Sequence, residues 1–318
     1  MKKILLGLAL VSAGLFTSCK DYLNEEPALK QSNELTFSTY SNLNSAGAAL
    51  YGMMQSASWY DGEFVLESEL RAGNAKNPTS MAGSGRYRND TQWNYTESST
   101  SSLWSYAYYT IARANNVINN LEGKVVGDVT QQQVNDLKAE ALFMRALSHF
   151  DLVVTYGQPY NNATDTLGVP VSLVTENGKP ARNSVKAVYN QVVADLTEAE
   201  SLMSDSYTRS DALDAAAVAS KPAIQALLSR VYLYMNNWQK AADYATKVIN
   251  NGKYSLVSGA DYVSMFTAAT APKGGEIIFE MYGSDKNEYW DESGWTHLSY
   301  ITSLDGSGDV CATNDLVK

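Results

Sequence analysis

Three groups of side chains have the types and spacing to do chemistry. The first is a run of carboxylates, Asp61, Glu63, Glu67 and Glu69. A glycosidase needs two carboxyl groups several ångströms apart in different environments, which sequence spacing alone does not supply. Clustered acids stay solvated where nothing forces burial, so this run is expected to be an exposed acidic stretch. The second group is DGSGD, from Asp305 to Asp309. It lacks the third acidic position and the closing Glu of an EF-hand, so a turn is expected and no metal or other cofactor. The third group is a set of aromatic residues outside any helical periodicity: Tyr87, Trp93, Tyr282, Tyr289, Trp290 and Trp295, with Arg86, Asn94 and Asp291 beside them. A glycan presents C–H patches on its ring faces and hydroxyls around its edge. Its binder therefore needs flat aromatic platforms rimmed by Asn, Asp, Arg or Glu. Trp93, Trp290 and Trp295 are the expected platforms, Arg86, Asn94 and Asp291 the hydroxyl-binding rim, and Tyr87, Tyr282 and Tyr289 further contacts. Anchoring its own loop is the competing role for each.

Other chemistries lack raw material. The only histidines, His149 and His297, and the only cysteines, Cys19 and Cys311, lie far apart in the sequence. Neither zinc sites nor Cys-His catalytic pairs follow from that spacing. His149 lies next to Phe150 in an apolar helix and is expected to be a hydrogen-bonded packing residue. The chain has no nucleophile elbow, phosphate loop or zinc helix, so it is read as a binder rather than an enzyme. A net charge of −10 and a pI of about 4.8 remove the phosphate-neutralising surface that nucleic acid requires. With 21 Tyr against 7 Phe, aromatic area carries a polar handle, which suits wet, polar partners.

The elements that must hold these groups are helices. Of 318 residues, 45% are hydrophobic, enough for a sizeable core. Apolar residues recur at three- and four-residue steps from Tyr40 to Met54, Leu103 to Leu121, Leu142 to Val154, Val185 to Ala199, Ile224 to Met235, and Trp238 to Ile249. Ser184 is placed to cap a start, while Gly123, Gly157 and Gly252 follow helix ends. The last two runs are separated only by Asn236 and Asn237, which forces antiparallel neighbours resembling a tetratricopeptide hairpin, with Ser229 in place of the usual Gly. Small Ala241 and Ala245 should allow close approach, with Tyr232 and Trp238 filling the wedge. Trp104, Tyr108 and Tyr189 are likewise assigned to packing.

Residues 61–102 and 276–318 interrupt the helical pattern and carry the loop aromatics; EIIFEMY from Glu276 reads as a short strand. Residues 315–318 look like the first turn of a helix capped by Thr313 or Asn314, so a continuation beyond Lys318 is expected. At the other end, Lys2 and Lys3, the apolar run Ile4 to Phe16 and small Thr17 and Ser18 form an export signal leading to Cys19. Thirteen helical residues rise about 20 Å, short of the ~30 Å hydrocarbon core. The setting of Cys19 looks like a lipobox, with Phe16 where Leu is usual, and residues 19–35 read as a polar tether.

Trp104, Tyr108, Ile111, Arg113, Ala114 and Asn115, then AEALFMRALSHFDLVVTYGQP from Ala139 to Pro159, resemble the SusD/RagB family of outer-membrane nutrient-binding lipoproteins. SVKAVYNQVVADLTEAE from Ser184 and ALLSRVYLYMNNWQKAADYATKVINNGKYSL from Ala226 are similar to its later helices; His149 stands where that family often has Tyr. The resemblance implies a mainly α fold, a tetratricopeptide-like scaffold with long irregular loops and a small partial subdomain. Its organisation would be a signal at 1–18, a tether at 19–35, a helical domain at 36–275 with a binding-loop insertion at 61–102, and an incomplete irregular subdomain at 276–318. It further implies lipidation at Cys19, an outer-membrane location facing the exterior, capture of an oligosaccharide, and delivery to a TonB-dependent, SusC-like transporter. Peptide capture on the same scaffold, or glycoside hydrolysis, would be the alternatives.

Overall fold

The computed structural model describes residues 37, 39–78, 85–96, 102–121, 129–161, 163–176, 178–209, 215–267, 275–281 and 297–316. The export signal, Cys19, Gly123, Tyr282, Tyr289, Trp290, Asp291 and Trp295 lie outside them. The fold is mainly α, in the order α1 Tyr40–Ala48, α2 Glu63–Ala72, β1 Ala75–Lys76, α3 Arg88–Gln92, α4 Ser102–Leu121, α5 Gln131–Tyr156, α6 Val185–Leu202, a 3-10 turn Ala215–Ala217, α7 Lys221–Tyr234, α8 Trp238–Ile249, α9 Ala260–Thr267, α10 His297–Thr302 and β2 Cys311–Ala312. Each helix from α4 to α8 packs on the next.

Local chemistry sets the ends of these helices. Thr130 and Gln133 form a reciprocal capping box at the start of α5, and Ser184, Ser220 and Asn237 accept backbone N–H bonds at the starts of α6, α7 and α8. Asn236 takes a left-handed conformation at φ 58°, which turns α7 into α8 within three residues. Ser229 donates its hydroxyl to the Ala241 carbonyl at 2.8 Å, tying the two helices together.

The wedge of this hairpin differs from expectation. Trp238 is 62% exposed; Tyr232 and Tyr244 stack instead, 5.7 Å apart. Ala241 is buried and Ala245 half-buried. Trp238 shares its outward stripe with Ala242 and Ile249, whereas Tyr244 and Val248 turn the other edge of α8 inward. Further differences concern the first helix and the EIIF segment. Helix α1 ends at Ala48, and Leu50 and Met54 reach the core from turns. Residues 275–281 contain no strand. There half-buried Ile278, Phe279 and Met281 pack against the core, Phe279 edge-on to Phe143 at 5.2 Å, so packing on the helices and not strand pairing accounts for the apolar pattern.

Helix α5 lies at the centre. From Ala139 to Val153 every residue is buried, so its amphipathic reading understates its position. Buried polar groups must be paired. Arg145 makes a two-pronged bond to Asp195 of α6 at 2.6 and 2.8 Å, and a third to Asn115 of α4 at 2.9 Å. Burial holds His149 neutral, lowering its pKa to about 4; Nε2 accepts the Ser172 N–H, and Nδ1 donates to the Arg145 carbonyl. On the opposite face, Glu140 receives Tyr51, Tyr207 and Arg209, and Asp151 receives the Trp59 indole at 2.9 Å and the Tyr60 hydroxyl at 2.8 Å.

Burial raises the Asp151 carboxyl to about 7, against about 3.9 for an exposed aspartate. The folded protein therefore holds a proton there that the unfolded chain has released, and this group's contribution to stability falls as pH rises from about 4 to 7. Asp151→Asn keeps an acceptor oxygen for Trp59 and Tyr60 but cannot titrate. Denaturant midpoints should decline less over that range in the variant than in the parent; parallel pH profiles would contradict the assignment.

Candidate functional site

Tyr95, and through it Trp93, is held from α2 by Arg71. Gly62 precedes this helix where a Cβ would come within 2.5 Å of His297 and 2.8 Å of the Ala57 carbonyl, so only glycine allows this approach. Asp61 then receives the His297 N–H on its side chain at 3.0 Å and the Leu298 N–H on its carbonyl at 2.8 Å. A second small core of Leu66, Leu70, Ile301 and Val310 joins α2 to α10 and to the segment after it, and β1 pairs antiparallel with β2, Ala75 opposite Ala312.

The acidic run is not the solvated stretch expected. Leu66 and Leu70 turn into this second core and carry Glu67 inward with them, while Glu69 stays exposed and accepts from Asn74. Glu67 and Asp90, both buried, converge on the Arg71 guanidinium at 2.5 and 3.0 Å. Burial pushes Glu67 up to about 7 against the opposing pull of Arg71. Glu63 is raised by burial and by Asp90, and its Oε2 is buried without a hydrogen-bond partner. Glu67 and Asp90 share one cation, so they are not the separated pair of a glycosidase.

That cation organises the aromatic loop. The Tyr95 hydroxyl accepts from Arg71 Nε at 2.8 Å and donates to Asp90 at 2.8 Å, while the guanidinium carbon lies 5.3 Å from the Tyr95 ring centroid. Trp93 meets Tyr95 edge-to-face, 6.5 Å between centroids, and remains 65% exposed. Asn94 between them is exposed, its backbone N–H bonded to the Asn89 carbonyl. The outcome is a flat indole presented to solvent on a braced loop, with exposed Asn94 next to it in the chain.

The other described loop residues are anchored. Arg86 forms an ion pair with buried Asp309 at 2.7 Å, and the Tyr87 hydroxyl lies 3.1 Å from His297 Nε2. Asn77 donates to the carbonyls of both Arg86 and Asp309. These contacts fasten the loop to the DGSGD turn. Sequence spacing did not select Tyr95 for the site; its signal was position, two residues after Trp93 and five after Asp90. Among the described residues no group of three or more His, Cys, Asp or Glu side chains is placed to hold a metal ion.

A family model, SusD-like, described as starch-binding and associating with the outer membrane, matches residues 21–233. SusD-like protein P2 of Formosa agariphila is 29% identical over 255 residues, which is 79% of this chain and 47% of that protein. A SusD-like protein of Bacteroides ovatus is 26% identical over 298 residues, 84% of this chain and 47% of the relative. The chain thus spans about half the length of the curated relatives it matches. A solved SusD superfamily protein from Bacteroides thetaiotaomicron superposes with a TM-score of 0.74 at 28% identity, covering 88% of this chain and 61% of the other.

Removing Arg71 leaves Glu67 and Asp90 buried without their countercharge. Arg71→Ala should therefore cost about 1–3 kcal/mol of stability, whereas Trp93→Ala, which removes an exposed ring, should stay within about 0.5 kcal/mol of the parent. Chemical denaturation measures both, and equal losses would contradict the bracing role of Arg71.

Proposed function

The chain belongs to the SusD-like family, and from that membership we propose that it captures oligosaccharides at the cell surface, leaves them chemically unaltered, and passes them to a TonB-dependent, SusC-like transporter. The observation that carries the binding step is the exposed Trp93 indole held by Tyr95 and Arg71. A sugar ring stacks on such a face through its C–H bonds while neighbouring groups take its hydroxyls. Asn94 supplies one amide beside the ring. Arg86 and Tyr87 support the surface from behind through Asp309 and His297, and Trp290, Trp295, Tyr282, Tyr289 and Asp291 complete it on the sequence reading. Support for a carbohydrate ligand comes from the starch-binding description of the family. The absence of catalysis is inferred from the consumption of Glu67 and Asp90 by Arg71. Transfer to a transporter rests on the family resemblance, and anchoring through a lipid on Cys19 rests on the export signal together with the family's outer-membrane association.

If Trp93 is a central contact, Trp93→Ala should weaken binding of maltoheptaose, taken as a starch fragment, by about tenfold, roughly 1.4 kcal/mol. Isothermal titration gives the comparison, and an unchanged affinity in the variant would remove Trp93 from the site. For the anchor, mass spectrometry of the membrane-extracted protein should find acyl chains on Cys19 as the first residue, and Cys19→Ala should release the protein from membranes. An unmodified Cys19 would contradict the anchor.

A further inference from the structure

The outer face of α4 carries a second concavity that the loop site does not use. Asn115, Asn116, Asn119 and Asn120 stand within six positions of this helix, although asparagine is a poor residue for a helix interior. Asn115 is accounted for, since it is buried and joins Arg145 to the Ser172 carbonyl. The other three line a groove of about 680 Å³ between α4 and residues 174–176, with Tyr109, Arg113 and Glu176.

The groove is built rather than incidental. Asn119 donates to the Leu173 carbonyl, Thr175 to the Ala112 carbonyl, and Arg113 to the Ala49 carbonyl, which fixes both walls. Asn120 donates to the carbonyl and side-chain oxygens of Asn116, setting the orientation of that amide. An amide has two donor hydrogens and two acceptor lone pairs, and the Oδ1 atoms of Asn119 and Asn120 take no part in these bonds. Tyr109 in the same lining is 62% exposed. The described lining carries one cation, Arg113, and one anion, Glu176, so it offers no run of positive charge of the kind phosphate and acidic ligands require. An exposed phenol ring among neutral amides matches instead the C–H faces and hydroxyls of an uncharged sugar.

We propose that this groove is a second binding site for neutral oligosaccharide, with Tyr109 as the stacking ring and Asn119 and Asn120 as hydroxyl partners. The inference rests on the glycan-capture reading and adds to it a site on a different element. Two sites on one protein hold a long glycan through effective concentration, since the chain bound at one site remains near the other.

Affinity electrophoresis in gels containing soluble starch, laminarin, xylan or glucomannan tests it with the full chain and four variants: Trp93→Ala, Tyr109→Ala, Tyr109→Phe and the double alanine. For the polysaccharide that retards the parent, Tyr109→Ala should weaken binding by about tenfold. Tyr109→Phe should keep most of the retardation, and the residual binding of Trp93→Ala should vanish in the double variant. Thermal unfolding should be unchanged in Tyr109→Ala, because the ring is exposed. If Tyr109→Ala migrates like its parent in both backgrounds while Trp93→Ala does not, the groove is overturned and the loop site stands. If no polysaccharide retards the parent, the glycan-capture reading fails and the groove falls with it.

Discussion

A helix buried on every side that still carries Glu140, Arg145, His149 and Asp151 imposes the constraint on which the structure depends. A buried polar group left without a partner costs about 1–3 kcal/mol, and a buried charge more, so the rest of the chain must deliver partners to defined points along α5. Asp195 and Asn115 do so from α6 and α4 and set how those helices lie against it. Tyr51, Tyr207 and Arg209 converge on Glu140 from two distant segments, and Arg209 also reaches the Asn44 carbonyl of α1. Asp151 takes Trp59 and Tyr60. Because α2 begins three residues after Tyr60, the polar demand of the central helix also fixes where Glu67 and Arg71 stand.

From there the positioning passes outward through a second buried ion cluster. Arg71 lies between Glu67 and Asp90 and holds Tyr95, which braces Trp93. Tyr87 and Trp93, the residues flanking α3, both adopt positive φ, at 57° and 54°. A left-handed conformation in a bulky side chain costs about 1–2 kcal/mol, and it persists only where surrounding contacts enforce it. Here those contacts are the Tyr87–His297 and Arg86–Asp309 pairs behind the loop and the Arg71 cluster beneath it. These contacts hold the loop so that the indole is presented to solvent rather than covered; a platform held in this way, as proposed for Trp93, would spare a ligand the entropy of ordering it.

Helix identity and family were legible because they rest on local signals. The three- and four-residue periodicity located α4, α6, α7 and α8, and Ser184, Asn236 and Asn237 marked turns that the structure contains. Trp93 stood out because no helical period explained it, and its exposure agrees with that exclusion. Pairings across long separations were not legible. Arg86 and Asp309 are 223 residues apart, and nothing in either neighbourhood announces the other. Glu63 and Glu67 looked solvated like Glu69 because burial depends on what packs over a helix face, here in part a segment more than two hundred residues away. Trp238 carried the same period as core residues yet faces outward, since α8 has an apolar arc wider than α7 covers.

The most direct test follows the indole N–H signals of nitrogen-labelled protein during titration with maltoheptaose, the Trp93 peak being assigned by its loss in Trp93→Phe. Trp59, buried and bonded to Asp151, provides an internal reference. The expected result is a saturable shift of the Trp93 signal with the Trp59 signal unmoved. Calorimetric binding of the same sugar with the Trp93 signal stationary throughout would contradict a glycan platform at this residue.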